Sequence, residues 1–305
     1  MSKTLVFPVR FIPHRPARRR TASSVVVVGA AIVLASAVSP AAGAWASTGG
    51  ARPAAAVAGT LTGVSCAGAK YCFAVGYHSP TRAKPSATLA EKWNGTRWAV
   101  VTTPAPAGSH GAFFWGVSCL ASQDCLAVGL YDTGSDDGTL PFSEEWNGST
   151  WSQVTVPAPS GATQSSLLGV SCVSSTDCWA SGSATFASSF KTLTESWNGS
   201  AWKIKSSPSP DSSKPDVLSG ITCASASACW AVGYDFPSSD SGSLTEEWNG
   251  SKWAVVHTPG SASGELIGDA CAGVSDCLAV GESSSSAGTT SPLFEAWNGK
   301  TWSVS

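Results

Sequence analysis

Ten cysteines, five glutamates and a few acid-aromatic pairs are the residues of this 305-residue chain whose types and spacing could do chemistry. The cysteines come in five pairs six residues apart: Cys66 and Cys72, Cys119 and Cys125, Cys172 and Cys178, Cys223 and Cys229, Cys271 and Cys277. Thiols could hold a metal or form disulfides. A metal site in each unit would need further ligands in the same repeat, and the four histidines (His14, His78, His110, His257) share no position, so disulfides are expected and no metal or cofactor is. Only the pairing within each unit uses every unit alike, so each cysteine is expected to bridge to its partner six residues on.

A carboxylate recurs at Glu91, Glu144, Glu195, Glu246 and Glu295, each two residues before a tryptophan. Such a set could ring a ligand, but repetition within a chain marks architecture first, and hydrogen bonding between repeats is the stronger expectation. Departures from a repeat say more about function. Asp269 stands where the other copies have Val64, Val117, Val170 and Ile221, and a buried carboxylate is costly unless paired. The segments after the second cysteines carry Tyr77-His78, Tyr131-Asp132 with Asp136 and Asp137, Phe186, and Tyr234-Asp235-Phe236. Aromatics beside carboxylates suit stacking on sugars with hydrogen bonds to hydroxyls. The acids of 132–138 match no recurring calcium loop, and no Gly-x-Ser-x-Gly nucleophile motif occurs.

The elements that must position these residues follow from one unit repeated five times. Each copy runs Leu61-Thr-Gly-Val-Ser-Cys66 (or Phe114, Leu167, Leu218, Leu266 onward), then the second cysteine and an Ala-Val-Gly run or variant, then Trp-Asn-Gly-x-x-Trp at Trp93/Trp98, Trp146/Trp151, Trp197/Trp202, Trp248/Trp253 and Trp297/Trp302. Branched and aromatic runs bounded by Gly, Ser and Pro predict four short strands per unit, a to d. Asn-Gly between c and d predicts a hairpin, since both residues tolerate positive φ. A unit of about fifty residues cannot bury both its faces alone, and radial stacking covers every copy at once.

The units resemble kelch repeats, with a strand ending in Gly, an aromatic before a turn (Trp93), and Trp98 followed by Val and Thr-Pro. The resemblance implies an all-β, five-bladed propeller over 61–305, with repeats at about 61–113, 114–166, 167–217, 218–265 and 266–305 and the ring closed by side-chain packing between units five and one. Phe73, Leu126, Trp179, Trp230 and Leu278, after each second cysteine, are expected to pack between blades. Strand direction sets the disulfide turns and Asn-Gly turns on one end and the longer connections on the other, where ligands are met.

The leader differs from all this. Residues 1–46 hold Lys3 and Arg10, Arg15, Arg18, Arg19 and Arg20, no acid, and an apolar run from Ser24 to Val38 that ends before Ala44-Trp45-Ala46. That order predicts a secretory signal cleaved after Ala46, followed by a flexible linker at 47–60, with a retained anchor as the alternative. Cleavage takes six of the 18 bases and none of the 20 acids, leaving a formal charge of −8. Phosphate backbones need a basic surface, so nucleic acid is excluded as a partner. The expected product is a secreted binding or scaffold module with no membrane span after cleavage. Its expected partner is an extracellular glycan or protein, met through Tyr77, His78, Tyr131, Asp132, Tyr234, Asp235 and Asp269. The alternative is an extracellular glycoside hydrolase with an axial carboxylate site, which would need a second acid beside Asp269.

Overall fold

The computed structural model describes residues 57–79, 85–134, 138–210, 212–235, 242–258, 264–285 and 289–304. Within them the chain is built from strands and turns, with no helix among the described residues. The twenty strands run four to a unit. The a strands are β1 (Gly59–Gly68), β5 (Gly111–Ala121), β9 (Gln164–Ser174), β13 (Val217–Ser225) and β17 (Gly264–Gly273). The b strands are β2 (Tyr71–His78), β6 (Asp124–Asp132), β10 (Asp177–Thr185), β14 (Ala228–Asp235) and β18 (Asp276–Ser284). Strands c are β3 (Ala87–Trp93), β7 (Thr139–Trp146), β11 (Phe190–Trp197), β15 (Gly242–Trp248) and β19 (Thr290–Trp297). Strands d are β4 (Trp98–Val101), β8 (Trp151–Val154), β12 (Trp202–Lys205), β16 (Trp253–Val255) and β20 (Trp302–Val304). Each unit is an antiparallel a-b-c-d meander.

Every blade is held at its short-turn end by the same devices. The paired cysteines face each other across strands a and b, with Cα atoms 3.9–4.0 Å apart. All five expected disulfides are present: Cys66 to Cys72, Cys119 to Cys125, Cys172 to Cys178, Cys223 to Cys229 and Cys271 to Cys277. The b-strand members Cys72, Cys125, Cys178, Cys229 and Cys277 are all buried, because the middle of each meander is covered on both faces. Their a-strand partners are more open, and Cys66 is exposed. The c–d hairpin uses a four-residue loop. Asn94 Oδ1 accepts the backbone N–H groups of Thr96 and Arg97, both at 3.0 Å, so a side-chain cap on the backbone supports the turn. The indole N–H of Trp93 donates to the carbonyl of Ala69 in the disulfide turn, and Trp146, Trp197, Trp248 and Trp297 do likewise. Strand a carries a bulge between Leu61 and Gly63 and at the equivalent points. This bulge explains the glycine that ends the Ala-Val-Gly run. A Cβ on Gly76, Gly129, Gly182, Gly233 or Gly281 would lie 1.9 Å from a carbonyl oxygen of strand a.

The core lies between blades. Phe73 of blade one inserts edge-on between Trp146 and Trp151 of blade two, with ring centroids 5.0 and 4.9 Å away. Trp179 meets Trp248 and Trp253, Trp230 meets Trp297 and Trp302, and Leu126 shares a cluster with Trp197 and Trp202. The a strands of successive blades pack together in the order β1, β5, β9, β13, β17. Along this series the hydroxyls of Ser65, Ser118 and Ser171 accept the N–H of Cys119, Cys172 and Cys223 in the next blade, at 2.9, 3.1 and 3.0 Å. A single parallel bridge, Thr139 to Gln164, joins blades two and three into one eight-stranded sheet.

Ring closure differs from expectation. The five blades form a propeller-like series, but among the described residues β17 does not pack on β1 as the other inner strands pack on their successors, and no sheet closes. Blade five departs from the others on the face that would meet blade one: Ala270 stands where the other blades carry the hydroxyl of Ser65, Ser118, Ser171 or Thr222, Phe294 stands where they bury Ala90, Ser143, Thr194 or Thr245, and Leu278, expected to pack between blades, is exposed because no blade follows it.

Candidate functional site

The acid-aromatic pairs singled out in the sequence sit at the ends of b strands rather than on the loops beyond them. Tyr77 and His78 close β2 opposite Thr60 and Gly59, Tyr131 and Asp132 close β6, and Tyr234 and Asp235 close β14. Strand ends hold these side chains on the sheet, so they are more firmly placed than loop residues. Asp136, Asp137 and Phe236 lie outside the described residues. Phe186 lies just past the end of β10, where Lys191 stands 5.5 Å over its ring.

The cysteines do not join this site. Each is bound in a disulfide, with no free thiol, at the opposite end of its blade from the tyrosines. Cys125, Cys178, Cys229 and Cys277 belong to the apolar clusters between blades, and Cys72 is likewise buried. The covered b-strand sulfurs serve the core, and all ten cysteines staple strand a to strand b.

The b-strand ends lie at blade junctions. The Tyr77 ring of blade one packs edge-on against Phe113 of blade two at 5.0 Å and lies 6.4 Å from Trp115. Beside it a cleft of about 300 Å³ is lined by Ala58, Gly59, Thr60, Tyr77, His78 and Ser79. Tyr234 occupies the matching place in blade four, and its neighbour in blade five is Glu265. Burial raises the Tyr234 phenol pKa, and the Glu265 charge raises it further. Leu130 and Ser183 fill the same position in blades two and three. The rim is thus aromatic at one junction and phenol-carboxylate at another.

Tyr131 turns inward, edge-on to Phe142 at 6.3 Å and packed against the core of blades one and two. Asp132 Oδ1 accepts the N–H of Gly134 at 2.7 Å, and its backbone carbonyl accepts the N–H of His110 at 2.8 Å, so Asp132 shapes a turn. No ring contact joins Tyr77 to Tyr131 among the described residues. The sequence reading missed Phe113, Trp115 and Glu265. A signal was present for Trp115, which interrupts a position held elsewhere by Thr62, Leu168, Ser219 and Ile267. Phe113 and Glu265 become visible only once the tyrosines opposite them are known.

Asp269 lies on strand a of blade five, β17, and its carboxyl is buried. Both oxygens are buried, and Oδ1 lies against Gly220 of blade four. The Thr222 hydroxyl donates to the backbone carbonyl of Asp269 at 2.9 Å. Burial pushes the Asp269 pKa up to about 8, against hydrogen bonds from Thr222 and the backbone that lower it. The carboxyl lies between two inner strands, where burial favours its protonated form.

The repeated glutamates divide. Glu246 accepts a hydrogen bond from Ser207 of the preceding blade at 2.6 Å, the inter-blade role expected of them. Glu295 lies among the Ser243 and Thr258 hydroxyls of blade four, which lower a pKa raised by burial. Glu144 and Glu195 are fully buried without a hydrogen-bond partner among the described residues, and burial lifts each to about 8. Glu91, in blade one, is only partly covered.

No protein-family model matches the sequence, and no curated protein does. Among solved structures the chain is similar to YCF48 bound to D1 peptide, with TM-score 0.38 and 10% identity over 81% of this chain and 82% of that one. It is similar to YCF48 from Cyanidioschyzon merolae at TM-score 0.45 and 15% identity, over 79% and 68%. Fructan 1-exohydrolase IIa from Cichorium intybus gives 0.46 and 10%, over 81% of this chain and 57% of that one. All three TM-scores are low, so the site rests on its own geometry.

Proposed function

We propose that this chain is an exported, non-enzymatic recognition or scaffold module that meets an extracellular glycan or protein on the rim formed by its b-strand ends. The observation that carries the reading is the junction of blades one and two, where Tyr77, Phe113 and Trp115 come together beside a small cleft that also presents His78. Rings packed edge to face give a rigid apolar surface at low entropic cost, and the nearby hydroxyl and imidazole supply directional hydrogen bonds. Export is supported by the leader and by five disulfides, which persist in oxidising compartments.

The hydrolase alternative depends on Asp269, whose carboxyl is buried against Gly220. A glycan and peptide array run beside a glycosidase panel separates the two. Binding that falls about tenfold or more in Tyr77→Ala, with far-UV circular dichroism unchanged, supports recognition at this rim. Sugar release abolished by Asp269→Asn, with binding indifferent to Tyr77, overturns it.

A further inference from the structure

The two ends of the blade series each present half of an interface that the chain builds four times internally. On blade one, Leu61 is 48% exposed, whereas Phe114, Leu167, Leu218 and Leu266 at the same position are completely buried. Val64 is exposed where Val117, Val170 and Ile221 are buried, and Trp93 and Trp98 are partly open. On blade five, Leu278 is 44% exposed, whereas its equivalents Phe73, Leu126, Trp179 and Trp230 are at most 3% exposed between tryptophans of the next blade. Phe294 is 49% exposed at a position fully or almost fully buried in the other four blades. Gly268 agrees. A Cβ at Gly63, Gly116, Gly169 or Gly220 would come within 2.9 to 3.1 Å of the next blade's backbone, while at Gly268 it would meet nothing within 4 Å.

We propose that these faces are an interaction surface for a second copy of this chain, with blade five of one copy docking head-to-tail on blade one of the next. The occupant follows from continuity with the internal interface. Blade five offers Leu278 and the close-approach glycine, which elsewhere receive a tryptophan pair, and blade one offers such a pair in Trp93 and Trp98. One contact of this kind covers both apolar faces, which a symmetric contact of two blade-five faces would not. The structure holds the chain's own two faces apart. The contact is also weaker than the internal ones, because Ala270 has no hydroxyl to accept the Cys66 N–H of the incoming copy, a bond made by Ser65, Ser118 and Ser171 within the chain. Association is therefore reversible and concentration-dependent.

The test is sedimentation of the full chain from micromolar to hundreds of micromolar, with Leu61→Glu and Leu278→Glu as blocking variants. Both side chains are exposed in the single chain, so the fold survives, which circular dichroism checks. Expected are a mass that grows with concentration in the unaltered protein, monomers for each variant alone, and a dimer that grows no further when the two variants are mixed, since each keeps one complementary face. Ala270→Ser should tighten association about fivefold by restoring the missing acceptor. A monomer at every concentration overturns the proposal, whatever covers the faces. So does self-association that persists in either variant alone, or a mixture of variants that fails to pair.

Discussion

Burial decides the state of three of the repeated glutamates. Glu144, Glu195 and Glu246 lie between blades with pKa values pushed up to about 8, in each case chiefly by desolvation. At Glu246 the Asp216 charge adds to this, and the Ser207 and Thr192 hydroxyls work against it. These acids hold their protons more tightly folded than unfolded. The stability they allow is complete below the unfolded value near 4.5 and is lost as pH rises through about 8. Thermal unfolding followed at pH 5 and pH 9 should show the midpoint lower at pH 9. Glu144→Gln, which cannot ionise, should flatten part of that slope, and an unchanged slope would show that Glu144 does not titrate in this range.

Strands and turns are where the sequence spoke most plainly. The cysteine spacing, the Asn-Gly hairpins and, in blades one to four, the position after the second cysteine carry their role in side-chain type, and the structure places them as those types require, whereas Leu278 of blade five is exposed because no blade follows it. Spacing alone did not tell which cysteine of a pair is covered, since that depends on strand b lying in the middle of the meander and strand a at its edge. The tyrosines were harder to read. A b strand that continues to Tyr77 or Tyr131 looks the same in sequence as a loop that begins there, because the alternation of buried and exposed residues fades at the rim. Partners across blades were harder still, since Phe113 and Trp115 meet Tyr77 only through the stacking of two units. The serine clasp belongs to this scale too. Ser118→Ala removes the acceptor for the Cys172 N–H, a group only part-buried, and should cost about 1 kcal/mol in urea unfolding. The same change at Ser65 should cost a similar amount, whereas an effect near zero at both would mean that apolar packing alone sets the blade spacing.

For the molecule as a whole, each blade touches only its neighbours, so stability is a sum of unit terms and nearest-neighbour interfaces. Blades two, three and four have two such interfaces, and blades one and five have one each. Amide hydrogen exchange at low protein concentration should therefore be fastest in β1–β4 and β17–β20 and slowest in β9–β12, with protection falling by about tenfold or more from centre to ends. Uniform protection across all five blades would indicate one closed cooperative ring. Five blades, each stapled internally by its own disulfide and joined through four interfaces, with no packing of β17 on β1 among the described residues, also leave the number of units free. A closed propeller cannot lose a blade without reshaping every angle around its axis. Here a gene that duplicated or deleted one segment of about fifty codons would add or remove one blade and one interface and leave every remaining junction as it was, so the same architecture can lengthen or shorten by whole units without passing through an unfoldable intermediate.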